Sequence, residues 1–326
     1  MEHLLNEDNL VFSRQYDRGM EDIVLPALSE AEESFTLEGY GGRPLHGCLY
    51  PAGRPAGTIL LVHGFTENAY KFSELAYSLL KQGLTVIAYD QRGHGRSWRD
   101  PDITDLSVTH VDRFDEYVSD LKCVCDQVLQ KHPKPWFVFS HSMGGAVTAL
   151  FLERYPDVFS RAVFCAPMIA PDRGSVPLWA ASLICRTAGL FGREKKHVFF
   201  IRPYGGPEDF STSCATDPNR FSWYDRIKAS TPVYQNSCPT YAWTRESLNV
   251  TKRILAEGEP EKIACPVLLF TAESDTSVRP VEQEMFASRL PDCRHVFVKG
   301  ARHEIYRSTD EVLFPWWHSI LEFLKG

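Results

Sequence analysis

The chain of 326 residues carries 35 Lys and Arg against 42 Asp and Glu, a formal charge of −7, with 44% hydrophobic and 12% aromatic residues. Such a composition is too apolar for a disordered protein and lacks the basic face that a nucleic-acid binder needs to displace counterions. Its longest strongly apolar stretch, residues 176–185, falls short of the ~18 residues of a bilayer span, and residues 1–10 lack the positive-then-apolar order of a secretory signal.

Residues 34–50 alternate in polarity around Gly41-Gly42, which predicts two strands joined by a tight turn. Residues 58–62 are continuously apolar, the mark of a strand covered on both faces, as in a parallel sheet. A helical pattern over 71–82, closed by Gly83, leads to a second buried strand at 84–89. Helical spacing over 114–132, a strand at 136–139, a helix at 144–155 and a strand at 160–166 continue the alternation. It stops near Pro167. From there to about Glu261 the chain is rich in Pro, Trp and Tyr, with one helix-like apolar segment at 177–191. A strand at 266–270, a helix at 281–290, a strand at 295–298 and a helix over 312–325 then resume the pattern.

These elements predict an α/β fold: a mostly parallel, doubly wound sheet with a cap of about ninety residues inserted after roughly its sixth strand. The implied divisions are an N-terminal extension at 1–33, core at 34–167, a cap or lid at 168–261 and core again at 262–326. Nine cysteines, an odd number without CxxC spacing, read as reduced thiols of a cytoplasmic protein.

The segment Phe137-Val-Phe-Ser-His-Ser-Met-Gly-Gly145 carries the chemistry. It sets Ser142 on a turn between a buried strand and a helix, flanked by small residues as in a nucleophile elbow, with Ser140 where the usual pattern has Gly. A serine hydroxyl needs a base to take its proton and a carboxylate to hold that base. Asp275 follows the strand at 266–270, and His303 follows the strand at 295–298. Both sit at strand C-terminal ends and in the order nucleophile, acid, base. Glu273 is a rival acid, and His295 is a poorer base because it opens a strand. For the oxyanion, the backbone N–H groups of Met143 and Phe65 are the candidate donors, Gly64 letting the chain turn inward. His63 reads as a hydrogen-bonding residue beneath that loop. No dinucleotide, phosphate-loop or zinc-protease pattern is complete, so no metal or organic cofactor is expected.

His63-Gly-Phe, Asp90-x-Arg-Gly-His-Gly-x-Ser97, His141-Ser-Met-Gly-Gly145, Asp275 with Val278, and Gly300-x-x-His303-Glu304 together resemble the monoacylglycerol lipase and lysophospholipase branch of the serine α/β-hydrolases. The resemblance covers roughly residues 34–168 and 262–324. Asn219-Arg-Phe and Cys238-Pro-Thr-Tyr-Ala-Trp-Thr-Arg-Glu-Ser247 in the cap are similar to the bacterial inner-membrane lysophospholipase type, although the Gly pair expected before Cys238 is missing. It implies an α/β-hydrolase fold with Ser142, Asp275 and His303 as nucleophile, acid and base. It also implies a single-acyl lipid ester as substrate, most simply a lysophospholipid. The alternatives are a monoacylglycerol lipase, a generic carboxylesterase, a peptidase on the same fold and a lipid-binding module without turnover. His63, His141, Leu178, Trp179 and Leu183 are candidate substrate-binding residues. Basic Arg186, Arg193, Lys195 and Lys196 follow the apolar cap segment, which makes the cap a candidate for peripheral contact with the inner membrane.

Overall fold

The apolar runs of the sequence assemble into one eight-stranded sheet in a computed structural model that describes residues 4–326. The first three residues of the expected extension lie outside the described part. The remainder of that extension is built into the core. α1 (Tyr16–Gly19) passes through a π-turn at Met20–Val24 into α2 (Leu25–Ala31), and Leu10, Val11, Met20 and Leu28 join the same apolar cluster as Phe139 and Trp317.

β1 (Glu33–Glu38) and β2 (Pro44–Tyr50) form the predicted hairpin, with Gly41 and Gly42 at φ 70° and 72°, a conformation that glycine adopts without steric cost. β3 (Gly57–Val62), α3 (Ser73–Lys81) and β4 (Leu84–Tyr89) follow. A two-residue β5 (Val108–Thr109) precedes α4 (Asp115–Gln127), β6 (Trp136–His141), α5 (Met143–Arg154) and β7 (Arg161–Cys165). The main sheet is then interrupted by α6 (Leu178–Leu190), α7 (Pro218–Ser230), a two-residue β8 (Cys238–Pro239) and α8 (Tyr241–Ile254). It resumes with β9 (Val267–Ala272), α9 (Pro280–Arg289), β10 (Cys293–Val298) and α10 (Asp310–Lys325).

The strand order is β1-β2-β4-β3-β6-β7-β9-β10, antiparallel at β1/β2 and β2/β4 and parallel elsewhere. Every residue of β3, β4 and β9 is buried, which is why these strands read as unbroken apolar runs. Alternate residues feed two cores: Leu60, Val62 and Val138 enter one, Ile59, Leu61 and Phe139 the other.

Among the contacts that hold the inserted segment to the core are a strand pair and an ion pair. β8 pairs with β5, and Lys195 reaches Asp100 at 3.0 Å and Asp102 at 2.6 Å. Helices α7 and α8 lie where the sequence pattern predicts no helix, although both carry ordinary start signals. Asp217 accepts from the N–H groups of Asn219 and Arg220, with Pro218 at the first helical position, and Thr240 Oγ1 accepts from Trp243 N–H.

Candidate active site

β6 ends at His141 and α5 begins at Met143, leaving Ser142 alone on the turn at φ 51°, ψ −118°. A non-glycine residue there costs roughly 1–3 kcal/mol, strain that the surrounding packing must hold. The packing is tight. A Cβ on Gly144 would lie 2.3 Å from the Val62 carbonyl oxygen, and one on Gly145 would lie 2.5 Å from Pro167 Cβ. Ser140 is tolerated at the position where the pattern has Gly because its Oγ donates to the Val163 carbonyl of β7 at 3.3 Å.

Ser142 Oγ–H donates to His303 Nε2 at 2.8 Å, and His303 Nδ1–H donates to Asp275 Oδ2 at 2.7 Å. The other Asp275 oxygen accepts from the N–H groups of Ser277 at 2.8 Å and Val278 at 3.1 Å. Burial pushes this carboxyl up, but the His303 ring and the bonds it receives outweigh burial and hold it below the usual carboxylate range. Asp275 lies on the loop after β9 and His303 after β10, where Gly300 turns the chain at φ 73°. The rival Glu273 is exposed and accepts from Gly300 N–H, while His295 bonds Thr271 Oγ1.

After β3, Gly64 passes so close to the nucleophile that a Cβ on it would lie 2.9 Å from Ser142 Cβ. Its own N–H is taken by Glu67 Oε2 at 2.5 Å. The N–H groups of Phe65 and Met143 have no hydrogen-bond partner among the described residues, so two donors stand free beside a serine–imidazole–carboxylate relay.

The model of one protein family, serine aminopeptidase S33, matches residues 53–310. The chain belongs to that family. Among curated relatives, lysophospholipase L2 of Escherichia coli (strain K12) is 31% identical over 82% of this chain and 80% of its own. The monoacylglycerol lipase of Mycolicibacterium smegmatis is 32% identical over 88% and 95%. Among solved structures, a soluble variant of monoglyceride lipase from Saccharomyces cerevisiae superposes with a TM-score of 0.69 at 20% identity, covering 90% of this chain and 96% of that one. That likeness carries the fold, which is the α/β-hydrolase fold. The protein is a serine hydrolase of carboxylic-ester type.

In this S33 hydrolase a buried ionic network stands behind the relay. Glu67 accepts from Gly64 N–H, from His141 Nδ1 at 2.9 Å and from the Tyr306 hydroxyl. His141 Nε2 donates to the His303 carbonyl at 3.1 Å. Both His141 nitrogens face acceptors, so both donate and the ring is the imidazolium. Burial alone would lower this ring, but Glu67 holds it above its ordinary value. Burial would likewise raise Glu67, which His141 and Lys71 hold well below the carboxylate range. Lys71 Nζ donates to Glu304 Oε1 at 2.6 Å, and Arg307 Nη1 donates to Glu304 Oε2 at 2.6 Å. Glu67, Lys71 and Arg307 belong to no motif of the sequence. The one local signal was a cluster of charged residues in short loops flanking the predicted site.

The two candidate substrate-binding histidines both have their ring nitrogens engaged by the protein, and His63 lies beneath the oxyanion loop as its hydrogen-bonding reading expects. His141 is used as described. His63 is buried, with Nδ1–H donating to the Gly64 carbonyl and Nε2 accepting from Gln91 N–H, and burial lowers the ring below its ordinary value. Neither ring has a nitrogen left for a substrate; both brace the oxyanion loop.

An apolar cavity of about 580 Å³ lies within the cap, lined by Ala181, Ile184 and Cys185 of α6 and by Trp243, Ser247 and Leu248 of α8. Trp243 packs on the Phe65 ring at 4.2 Å, and Pro171 at the cavity wall bridges to Val278 of the acid loop. Leu178, Trp179 and Leu183, the candidate substrate-binding residues of this helix, are not part of the cavity lining. Trp179 is 71% exposed and Leu183 57%, and Leu183 borders a separate open groove. The reason is helical phase: Ala181, Ile184 and Cys185 share the face toward α8, and Trp179 and Leu183 share the other.

Proposed function

We propose that this protein hydrolyses the single acyl ester of a lysophospholipid through an acyl-enzyme on Ser142. The observation that carries the reading is the apolar cap cavity, whose lining residues Trp243 and Pro171 touch Phe65 of the oxyanion loop and Val278 of the acid loop; its lining suits a fatty acyl chain. The names of the curated relatives, lysophospholipase and monoacylglycerol lipase, agree with it.

Ser142 Oγ attacks the ester carbonyl carbon as its proton passes to His303 Nε2. Asp275 keeps the imidazole in the tautomer that can accept this proton and stabilises the imidazolium. Phe65 and Met143 donate their N–H groups to the oxyanion. When the tetrahedral intermediate collapses, the glycerol-side oxygen leaves with the proton from His303. Water then gives a proton to His303 and attacks the acyl carbon, releasing the fatty acid and restoring Ser142.

The cap also offers a surface for lipid. Leu190, Phe191, Phe199 and Phe200 are 61–86% exposed, and Arg186, Arg193 and Lys196 stand nearby without ion-pair partners among the described residues. Lys195 is occupied by Asp100 and Asp102. An apolar face with basic groups in the same segment, Arg193 beside Phe191 and Phe199, suits the interface of an anionic membrane, and our reading is peripheral contact from the cytoplasmic side of the inner membrane. No helix among the described residues is long and apolar enough to cross it.

The family description suggests peptide substrates as a second reading. The almost wholly apolar lining of the cavity favours the acyl chain. A fluorophosphonate probe is expected to label Ser142, and Ser142→Ala to abolish both labelling and hydrolysis of lysophosphatidylcholine. Wild-type protein that never labels refutes the proposal.

A further inference from the structure

The base sits on a loop with no strand or helix of its own between the end of β10 at Val298 and the short turn that starts at Ile305. The core holds this loop at two points: the Ala301 carbonyl accepts from Ser274 N–H at 3.0 Å, and the His303 carbonyl accepts from His141 Nε2 at 3.1 Å. On either side of His303 the loop is bonded to the inserted segment instead. After it, Glu304 N–H donates to the Cys214 carbonyl at 3.0 Å, and the Arg307 carbonyl accepts from the N–H groups of Thr216 at 3.3 Å and Asp217 at 3.1 Å. Before it, the link is a side chain. Arg302 Nη1 lies 2.9 Å from the Ser213 carbonyl oxygen, 3.3 Å from that of Ser211 and 3.5 Å from those of Phe210 and Ala215.

Four carbonyl dipoles turned toward one point repel one another, and a cation at that point offsets the repulsion. One guanidinium nitrogen has two N–H groups there, so the four oxygens share them. All side-chain hydrogen bonds of Arg302 among the described residues go to these carbonyls, and the Ser213 carbonyl has no second partner among them. The residue is only partly buried, so the contact adds modestly to stability. What it fixes is position.

The acid loop is tied to the same insertion. Asp172 N–H donates to the Ser277 carbonyl at 2.8 Å, Arg279 N–H donates to the Ala170 carbonyl at 3.0 Å, and Cys214 Sγ stands 3.5 Å from Ser277 Oγ. Residues 210–217 therefore touch both loops that feed the relay. The relay needs such registration: His303 must face Ser142 at 2.8 Å and Asp275 at 2.7 Å at once, and a misplacement of about 1 Å costs about a hundredfold in rate.

We propose that Arg302 is a positioning residue of the reaction, clamping the base loop to residues 210–215 so that the cap sets the place of His303 and is required for the chemistry as well as for holding an acyl chain. The inference rests on the hydrolase reading above and goes beyond it, giving a kinetic role to a side chain that touches neither substrate nor relay.

Arg302→Met tests it, because methionine keeps an apolar stem and removes the cation. The substrate is p-nitrophenyl acetate, whose acyl group is too short to depend on the apolar cavity. Its kcat is expected to fall by about ten- to a hundredfold while KM stays within about twofold, and fluorophosphonate labelling of Ser142 is expected to slow in step. Arg302→Lys returns a cation with three N–H groups to the same carbonyls and is expected to recover kcat to within about threefold of wild type. Arg302→Gln, a donor without charge, is expected to lie between the two and carries the same test should the methionine variant not be folded by circular dichroism at the assay temperature. A neutral variant whose kcat stays within about twofold of wild type, a loss confined to KM or to long-chain esters, or a loss that lysine does not repair overturns the positioning role. A wild type that neither labels nor hydrolyses any ester overturns the hydrolase reading instead.

Discussion

Replacing Asp275 by Asn tests the relay at its least conspicuous member. The carboxylate makes three bonds: Oδ1 accepts from Ser277 and Val278 N–H, and Oδ2 accepts from His303 Nδ1–H. Asparagine can keep the first two through its carbonyl oxygen, which leaves its NH2 facing Nδ1. Two donors cannot face each other at 2.7 Å, so the imidazole takes the other tautomer. Its proton then sits on Nε2, opposite the Ser142 hydroxyl that is 2.8 Å away, and the base is lost although every atom keeps its place. This tautomer trap costs about ten-thousandfold in kcat where it occurs in serine proteases with the same relay. Stability falls little, by about 1–2 kcal/mol, because one charge-assisted bond becomes a neutral one. The assay is kcat on a p-nitrophenyl ester, with the melting temperature as a check on folding. A variant that keeps more than about a tenth of wild-type kcat refutes the assignment of Asp275. A comparable loss in Glu273→Gln transfers the role to that rival.

Two further outcomes follow from burial and exposure. Burial pushes the Glu153 carboxyl up to about 8, with Glu259 adding to the effect. A carboxyl raised in the folded state binds its proton more tightly there than in the unfolded chain, so it destabilises increasingly as pH rises from about 4.5 to 8 and costs nothing below. Glu153→Gln is therefore expected to stabilise by about 2–4 kcal/mol at pH 8 and negligibly at pH 4.5, measured by denaturant titration at both pH values. A gain that does not depend on pH contradicts the reasoning. On the cap, Leu190→Ser with Phe191→Ser removes two side chains that are 86% and 77% exposed. At about 1.5–3 kcal/mol for each buried in lipid, sedimentation with anionic vesicles should weaken at least tenfold. Unchanged binding argues against membrane contact through this face.

What could be read from the sequence follows from how each part is held. Buried parallel strands must be apolar on both faces, so residues 58–62 and 84–89 are legible as strands without any partner in view. The relay is legible because strand order puts Ser142, Asp275 and His303 at the same edge of the sheet. Helix α7 is different. Its buried positions include Arg220 and Lys228, which are paired to Glu74, Asp310 and Glu208 from distant segments. Buried cations interrupt the apolar stripe of Phe221, Trp223, Tyr224 and Ile227, and the periodicity that reveals other helices is weakened. Helix α6 fails in the opposite way. It is apolar around most of its circumference, so the pattern cannot tell the face toward α8 from the face toward solvent, where Trp179 and Leu183 lie.

The Glu67 network explains why the site needs more than its relay. One carboxylate receives the oxyanion loop through Gly64 N–H and the elbow through His141, and His141 in turn holds the carbonyl of His303. Elements from β3, β6 and the end of β10 are thereby registered to a single buried group. Such a pair contributes little net stability once desolvation is counted. Its worth is geometric: Phe65 N–H is left free because Glu67 takes the Gly64 N–H next to it, and Ser142 stays strained because neither the helix behind it nor the loop above it can relax. None of these bonds joins near neighbours beyond the Gly64–Glu67 turn. That is why a sequence that displays its nucleophile, acid and base so openly hides what aligns them.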